Sequence, residues 1–330
     1  MMPASEACGA RSKGALRIGS LGVQVDAPRP IYLDDMAAIF STALHRSEDV
    51  PATGLHLEIV ELSGPPSVNV PPGGIVITPE RALYTEAMFA QTALDGDRPH
   101  ARLNVFAPDL SDDERRIYLV VLLNKILVWM GYTRLHASAI SLDGKANVFI
   151  GDRGAGKSTI CAYLAGRGGL VLADDDVILH HDGNAYAVSG CDETMRIMDD
   201  AEKHLFGRLD VPARDFSGFA KKEIVTAERF SGEPYIDHNL DRMFFPRVGG
   251  EFSVKRLSSG QLVTRLMGAL AGGARWRPVS AGRFAAAQDH ARTLSYIADV
   301  ADQVSAYELN LSRDFAGLDR LFEFLKSDSN

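Results

Sequence analysis

The sequence predicts an α/β fold in which a strand-and-helix core follows a smaller α+β domain. Between residues 135 and 173, patterns typical of strand, turn, strand, loop, helix and strand follow one another, which is the order of an α/β core. The first hundred residues instead contain short alternating segments typical of half-buried strands. A capped helix separates the two regions, so we predict domains at residues 15–130 and 131–330. Residues 1–14 are small and polar, and we expect them to be disordered.

The N-terminal domain has weak but readable strand patterns. Residues 16–18 and 55–62 alternate apolar and polar side chains, as half-buried strands do. Residues 75–78 and 102–106 are two further predicted strands. The prolines and glycines between residues 65 and 74 predict a loop. No motif in this domain points to a particular chemistry.

The separating helix is predicted to begin after Ser111, which precedes three acidic residues ending in Glu114. Ser111 can cap the amide three residues on, while Glu114 reaches back to it, as in a capping box. Acidic residues in a first turn also interact favourably with the helix dipole. The apolar run at residues 117–130 is shorter than the roughly 20 residues of a membrane span and contains Asn124 and Lys125. We therefore expect a buried helix here.

Composition excludes several classes of protein. The 330 residues are 46% hydrophobic and 24% charged, as in a globular protein with a buried core. The formal net charge of −8 argues against general binding to nucleic acids or anionic membranes. Three scattered cysteines are too few for a disulfide framework or a zinc site. The first fifteen residues lack the apolar core of a signal peptide, so we expect a cytoplasmic protein with free thiols.

The C-terminal domain is predicted to contain three strands and four helices in its most readable parts. The strands are residues 136–141, 146–150 and 170–173. The helices are residues 157–166, 199–206, 260–271 and 313–326. A turn at Asp143 and Gly144 joins the first two strands.

The loop between the second of these strands and the first helix matches G-x-x-x-x-G-K-[ST] in full. Its glycines let the backbone wrap around phosphates, Lys157 adds a positive charge, and Ser158 offers a hydroxyl to Mg²⁺. The helix N-terminus adds a favourable dipole for anions. A chance glycine-rich turn is the alternative, which the flanking strand and helix disfavour. We expect ATP and Mg²⁺ as ligands, with the nucleotide at Gly151, Asp152, Arg153, Gly154, Ala155, Gly156, Lys157, Ser158 and Thr159.

Three consecutive carboxylates, Asp174, Asp175 and Asp176, follow the predicted strand at residues 170–173. Carboxylates at the end of a strand beside a phosphate loop are placed to hold Mg²⁺ or to act as a base. Alternation along a strand would put Asp174 and Asp176 on one side and Asp175 on the other. The alternative is a solvated turn after a buried strand.

Several other side chains have either a functional or a purely structural role. His136, in a predicted strand, is by itself more typical of a core histidine than of a functional one. His180 and His181 precede a predicted turn at Gly183, which favours solvent exposure over metal binding. A basic stretch could face phosphate or simply be surface charge; it consists of Arg242, Arg247, Lys255 and Arg256.

Taken together, residues 131–260 resemble the catalytic domain of HPr kinase/phosphorylase, whose phosphate-loop fold is akin to that of phosphoenolpyruvate carboxykinase. The shared pattern is a strand histidine, a β-turn, a second strand, G-x-x-G-x-G-K-S, a helix and A-D-D. In this chain the pattern is carried by His136, Asp143-Gly144, 148–150, 151–158 and 173–175. The resemblance implies the fold of that family for the C-terminal domain.

The resemblance also implies roles for individual residues. Asp175 matches the aspartate that takes a proton from the attacking hydroxyl, and Lys157 matches the phosphate-binding lysine. Ser158 matches the magnesium-binding serine, with an aspartate of 174–175 as its partner. His136 matches the active-site histidine. Arg242, in a segment similar to D-R-L, matches an arginine that would stabilise the transferring phosphoryl group.

Two family segments are missing from this chain. The E-I-R-G-L-G segment, which supplies a metal-binding glutamate, is absent, and Asp192 or Glu193 could take its place. The R-P-G-R-N loop tied to the reverse, phosphorylase reaction is also absent; residues 245–250 are at best a remnant of it. The chain therefore looks more like the HPr-kinase-like proteins found beside peptide-modification pathways than like the regulatory enzyme.

We accordingly expect a Mg²⁺-dependent ATP:serine kinase that acts on a peptide or small protein and, as the resemblance suggests, assembles as a homo-oligomer. One alternative is a small-molecule kinase on the same fold. A second is a nucleotide-binding regulator without productive phosphoryl transfer, and a third is a scaffold that binds no nucleotide.

Overall fold

The structure is a computed structural model. It describes residues 11–40, 44–45, 54–64, 76–77, 82–94, 99–191, 194–207, 213–215, 220–225, 235–272 and 287–327. These residues form two compact units. The N-terminal unit contains residues 11–17 and the described residues from 21 to 130, and the C-terminal unit contains residues 18–20 and the described residues from 131 to 327.

In the N-terminal unit, the described strands form one sheet with the order β3-β1-β2-β4-β8-β7-β6-β5. The strands are β1 (Ser12–Ile18), β2 (Leu21–Ala27), β3 (Leu44–His45), β4 (Leu55–Glu61), β5 (Val76–Ile77), β6 (Leu83–Tyr84), β7 (Met88–Ala93) and β8 (His100–Val105). The central pairs β2–β4 and β4–β8 are parallel. Each of the four predicted strands overlaps a described strand: residues 16–18 lie within β1, whereas 55–62 and 102–106 extend one residue beyond β4 and β8. Of the strand predicted at residues 75–78, the described part is β5, and the predicted loop at residues 65–74 lies outside the described residues.

The start of β1 differs from the expectation for the N-terminus. Residues 12–14 were expected to be disordered, but they belong to β1, beginning at Ser12. Arg11 explains part of this order, because its guanidinium binds the Asp26 carboxylate and donates to the Ile59 carbonyl at 2.8 Å. Polar sequence alone did not reveal these long-range partners.

Two helices, α1 (Ile31–Phe40) and α2 (Asp112–Trp129), pack against each other in the same unit. The predicted capping box is confirmed: the Ser111 hydroxyl accepts from the Glu114 amide at 3.4 Å, and the Glu114 carboxylate accepts from the Ser111 amide at 3.2 Å. As expected, α2 buries most of its apolar side chains, although Ile117, the first residue of the apolar run, is exposed. None of the described helices has both the length and the apolar character required to cross a bilayer.

A buried ion pair joins α1 to α2. Asp35 on α1 is 1% exposed and binds the buried guanidinium of Arg115 on α2. The same carboxylate accepts a second hydrogen bond, from Arg116 Nε at 2.8 Å. A charge with so little exposure is stable only while its partner is present, since removing one partner leaves the other buried and uncompensated.

We predict that Asp35→Ala lowers the free energy of unfolding of the N-terminal unit by about 3–5 kcal/mol, because the buried Arg115 would lose its buried counter-charge and keep only the largely exposed Asp112 carboxylate and the Leu110 carbonyl. Urea unfolding followed by circular dichroism measures the change. The control is Asp34→Ala, which removes an exposed carboxylate from the preceding position of the same helix. It should lower the free energy of unfolding by less than about 1 kcal/mol. Equal effects of the two substitutions would contradict the buried pair.

The C-terminal unit contains a seven-stranded sheet with the order β10-β9-β11-β12-β16-β18-β17, in which β10 also pairs with β16. Its strands are β9 (Tyr132–Leu142), β10 (Lys145–Ile150), β11 (Leu170–His181), β12 (Tyr186–Gly190), β16 (His238–Val248), β17 (Ser253–Arg256) and β18 (Ser305–Leu311). A second sheet, of three strands in the order β13-β15-β14, is not strand-paired with the larger sheet. It consists of β13 (Thr194–Ile197), β14 (Ala213–Asp215) and β15 (Ala220–Val225).

Helices cover both faces of the larger sheet. One face packs against α5 (Ser259–Gly272) and α6 (Ala287–Gln303). The other packs against α3 (Lys157–Ala165), α4 (Asp199–Phe206) and α7 (Gly317–Ser327). This explains the continuous apolar run of β10, because a strand covered on both sides has no solvent-facing positions. The architecture is consistent with the predicted α/β class.

Most predicted elements of this unit are confirmed, with differences in extent. The turn at Asp143 and Gly144 has φ of 50° and 79°, as in a two-residue hairpin turn with both central residues left-handed. The strand predicted at residues 170–173 is wrong in length, since β11 continues to His181. The three aspartates therefore lie inside a strand, where β9 pairs with them, and not in a turn after it.

Candidate functional site

The loop from Gly151 to Gly156 connects β10 to α3. Gly154 and Gly156 have φ of 84° and 90°, a left-handed conformation that glycine adopts without a steric penalty. Gly156 occupies the N-cap position of α3 and provides no side-chain acceptor. The first amides of α3 therefore lack a side-chain cap from this residue, and a helix N-terminus in this state is suited to binding an anion.

Lys157 places its ammonium group inside this loop. The side chain is 6% exposed, and Nζ donates to the carbonyl oxygens of Gly151 at 2.8 Å and Asp152 at 3.4 Å. The ammonium group of Lys157, the first residue of α3, therefore lies beside the start of the loop. The arrangement concentrates a cation and a helix N-terminus at one place, which favours a multiply charged anion.

The Asp174 carboxylate joins the loop to two strands. Its Oδ1 accepts from the hydroxyls of Ser158 at 2.6 Å and Ser138 at 2.8 Å, and its Oδ2 accepts from the Arg196 amide at 3.0 Å. Asp174 is 5% exposed. One buried carboxylate on β11 therefore contacts α3, β9 and β13.

Burial raises the pKa of Asp174 above its ordinary value, and the neighbouring Asp175 charge raises it further. The hydrogen bonds from Ser158, the Arg196 amide and Ser138 act in the opposite direction, because they stabilise the carboxylate form. The net direction is upward, so the ionised form of Asp174 is held in the fold at a cost to stability.

We predict that the free energy of unfolding of Asp174→Asn increases relative to that of the wild type as the pH rises from 4 to 7. Below the ordinary pKa both states carry the proton. Above it the unfolded chain ionises first, and wild-type stability falls by at most about 1.4 kcal/mol per pH unit until the folded pKa is passed. Urea unfolding of both proteins at several pH values, without Mg²⁺ or nucleotide, measures this difference.

Asp182→Asn is a control of opposite sign. Amides of Ala185 and Asn184 lower the pKa of Asp182, so its charge adds stability above the ordinary pKa, and that stability is lost as the pH falls through the folded pKa. The difference between Asp182→Asn and wild type should therefore change mainly below the ordinary pKa of 3.8, where the asparagine variant compares more favourably as the pH falls, and should change little between pH 4 and 7. A flat difference for Asp174→Asn from pH 4 to 7 would contradict the raised pKa of Asp174.

Asp175 departs from regular strand geometry. Its φ is 84°, which a residue with a side chain rarely adopts. Its Oδ2 accepts from Arg196 Nη1 at 3.2 Å, and its backbone carbonyl lies 3.1 Å from His136 Nδ1. Alternation predicted Asp174 and Asp175 on opposite sides of the strand, but both carboxylates contact Arg196. The side chain of Asp175 is 36% exposed, whereas that of Asp174 is buried.

Asp176 has a different partner. Its carboxylate binds Arg134 through Nε at 2.6 Å and Nη2 at 2.5 Å, and both side chains are largely buried. A two-point Arg–carboxylate pair of this kind is a stable structural contact. The structure thus separates the three aspartates into a buried hydrogen-bond acceptor, an accessible carboxylate and an ion-pair partner.

Arg242 is the predicted site residue that the structure does not bring to the loop. In the parallel pair of β10 and β16 it lies opposite Asn147, four residues before Gly151, or roughly 13 Å along a strand. Its buried guanidinium contacts Asp241 at 3.0 Å and the Leu325 carbonyl at 3.4 Å. The D-R dipeptide lies in β16, but Arg242 is paired with the early part of β10 and not with the end of β10 that leads into the loop.

Two residues of the site were not predicted. Ser138 could have been found, because it lies two positions after His136 and therefore on the same face of β9. Arg196 carried no sequence signal, since its position depends on β13 packing beside α3. Asp192 and Glu193, the predicted replacements for a metal-binding glutamate, lie outside the described residues.

The adjacent histidines His180 and His181 have different surroundings. His180 is buried, stacks on Tyr132 at 4.8 Å between ring centroids and lies 3.3 Å from Asp237, so the predicted exposed turn is wrong for it. His181 is exposed and accepts from the Gly183 amide at 3.0 Å, as that prediction required. Of the basic stretch, Arg247 pairs with Glu308 at 3.1 Å, and Lys255 and Arg256 are exposed on β17.

Comparisons with known proteins give little similarity. No protein-family model and no curated protein matches the sequence. A solved structure, the HPr(Ser) kinase/phosphatase from Coxiella burnetii, is 13% identical and aligns over 38% of this chain and 72% of that chain with a TM-score of 0.26. A TM-score of this size does not establish a shared fold.

Proposed function

We propose that the protein is a Mg²⁺-dependent kinase that transfers the γ-phosphoryl group of ATP to a hydroxyl group of a peptide or small protein. One observation carries the proposal: the glycine loop, the Lys157 ammonium, the Ser158–Asp174 pair and the accessible Asp175 carboxylate lie together in the C-terminal unit. Phosphoryl transfer requires phosphate binding, a metal site and a base in one place.

The nucleotide phosphates would be held by the backbone of residues 151–156 and by the N-terminus of α3. The left-handed glycines at 154 and 156 shape this backbone, and amides in such turns bind anions. Lys157 would exchange its contacts with the Gly151 and Asp152 carbonyls for phosphate oxygens, because these are charged acceptors.

Ser158 and Asp174 fit a magnesium site. Mg²⁺ prefers oxygen ligands and is commonly held by one or two carboxylates, with substrate phosphates and water completing its coordination. The Ser158 hydroxyl and Asp174 carboxylate are 2.6 Å apart at the end of the loop. When bound, the ion would supply charge neutralisation for the phosphates. No grouping of three or more His, Cys, Asp or Glu side chains suited to a metal occurs among the described residues.

Asp175 is the proposed base. Its side chain is accessible, whereas Asp174 is buried and engaged by two hydroxyls. In the proposed step, the acceptor oxygen forms a bond to the γ-phosphorus as the bond from that phosphorus to the β–γ bridging oxygen breaks. The acceptor proton passes to Asp175, and ADP leaves with the electron pair of the broken bond. His136 positions the base, because its Nδ1 is within hydrogen-bond distance of the Asp175 carbonyl.

The choice of a serine in a peptide or small protein rests on the resemblance of residues 131–260 to the HPr kinase/phosphorylase family. Arg242 has no role in this proposal, since it lies under α7. The cytoplasmic location and the homo-oligomer that the resemblance suggests stay predictions.

We predict that wild-type protein transfers label from γ-labelled ATP and Mg²⁺ to serine-containing peptides, and that Asp175→Asn lowers the rate by roughly 100-fold or more, because general bases contribute about 10²–10⁴-fold. Mass spectrometry identifies the modified residue. Asp182→Asn is the matched control: it neutralises a carboxylate in the turn after the same strand, and asparagine retains the oxygen that accepts from Asn184 and Ala185.

Other outcomes separate the alternatives. Transfer to a small hydroxyl compound, with none to any peptide or protein, would identify a small-molecule kinase on the same site. Binding of ATP without transfer to any acceptor, unaltered in Asp175→Asn, would reject the kinase and identify a nucleotide-controlled regulator.

A further inference from the structure

We propose that Arg196 is a positioning residue that fixes the orientation of Asp175 and holds it in register with Asp174. This inference rests on the proposed kinase function and extends it to a residue on β13. Arg196 makes two bonds of different kinds: its backbone amide donates to Asp174 Oδ2 at 3.0 Å, and its Nη1 donates to Asp175 Oδ2 at 3.2 Å. One residue therefore contacts both the proposed magnesium ligand and the proposed base.

Asp175 needs an external contact to keep a single orientation. Its φ of 84° places it in a region that is disfavoured for residues with a side chain, and such conformations persist where surrounding contacts enforce them. The side chain is 36% exposed, so packing does not fix its rotamer. His136 Nδ1 lies 3.1 Å from the backbone carbonyl of Asp175 and 3.9 Å from its Oδ1, whereas Arg196 donates a hydrogen bond to the carboxylate itself.

Arg196 is well placed for this task because its own backbone is fixed. Met195 and Ile197, on either side of it, are buried in the same apolar cluster as Ile160 and Cys161 of α3. Between these two buried residues, the hydrogen bond from the Arg196 backbone amide to Asp174 holds the backbone in place. The Arg196 side chain, 23% exposed, extends from this anchored position, and its planar guanidinium presents several donors to a carboxylate.

The contact also selects which carboxylate oxygen is available. Arg196 donates to Oδ2 of Asp175, whereas Oδ1 lies 3.9 Å from His136 Nδ1, beyond hydrogen-bond distance. Proton transfer to a carboxylate requires one oxygen to lie within hydrogen-bond distance of the acceptor hydroxyl. By holding Oδ2, Arg196 directs Oδ1 toward the acceptor and reduces the number of unproductive orientations.

The test compares Arg196→Ala and Arg196→Lys with the wild type in the labelled-ATP assay, with the Kd of Mg-ATP measured on the same samples. We expect kcat to fall roughly 100-fold in Arg196→Ala, the scale of a catalytic group misplaced by about 1 Å, while the Kd of Mg-ATP changes less than about threefold. Guanidinium ion at non-denaturing concentration should restore at least part of kcat in Arg196→Ala and none in Asp175→Asn. Arg196→Lys should retain intermediate activity.

Arg167→Ala is the matched control, since Arg167 pairs with the exposed Asp319 at 2.6 Å on the outer side of α3; its kcat should equal that of wild type. Unchanged kcat in Arg196→Ala, absence of guanidinium rescue, or a loss explained wholly by weaker Mg-ATP binding would each overturn the inference alone. If Arg196→Ala does not unfold cooperatively, Arg196→Gln replaces it with the same readouts. A wild-type protein that binds Mg-ATP but transfers no phosphoryl group would instead overturn the proposed function.

Discussion

The candidate site depends on the buried carboxylate of Asp174. Its two oxygens accept from two hydroxyls and one amide, which belong to α3, β9 and β13. These bonds fix where α3 begins, after the loop at residues 151–156, relative to the larger sheet, and they connect β13 to the same point. The charge is retained at a cost, since burial raises the pKa of Asp174. A buried carboxylate next to the hydroxyl of Ser158 has the ligand chemistry that the proposed magnesium site requires.

The second constraint is the irregular backbone at Asp175. Because β11 continues through the aspartates, regular geometry would direct Asp175 to the face covered by α5 and α6. The positive φ turns its carboxylate toward Arg196 instead. Adjacent residues can therefore contribute to one site, with the buried Asp174 as the proposed magnesium ligand and the accessible Asp175 as the proposed base. Strained backbone at a functional site is expected where a strand must present neighbouring residues to the same ligand.

The sequence predicted the parts of the structure that local chemistry determines. The capping box at Ser111, the hairpin turn at Asp143-Gly144 and the strand–loop–helix at residues 146–166 follow from short motifs, and the structure has them. Long-range contacts were not predictable in the same way. Arg196 reaches the site because β13 packs beside α3, and Arg242 lies away from it because the register of β10 and β16 pairs Arg242 with Asn147. No local pattern encodes either placement.

Calorimetric titration of Mg-ATP into the wild type and Lys157→Met tests the central claim most directly, because it asks whether this loop binds a nucleoside triphosphate. The account predicts saturable binding by the wild type and at least about tenfold weaker binding by the variant, which lacks the cation inside the loop. A parallel rise in thermal stability should accompany binding, by about 2.7 kcal/mol at a ligand concentration of 100 Kd. Equal affinity of the two proteins, or no binding by the wild type, would contradict the account.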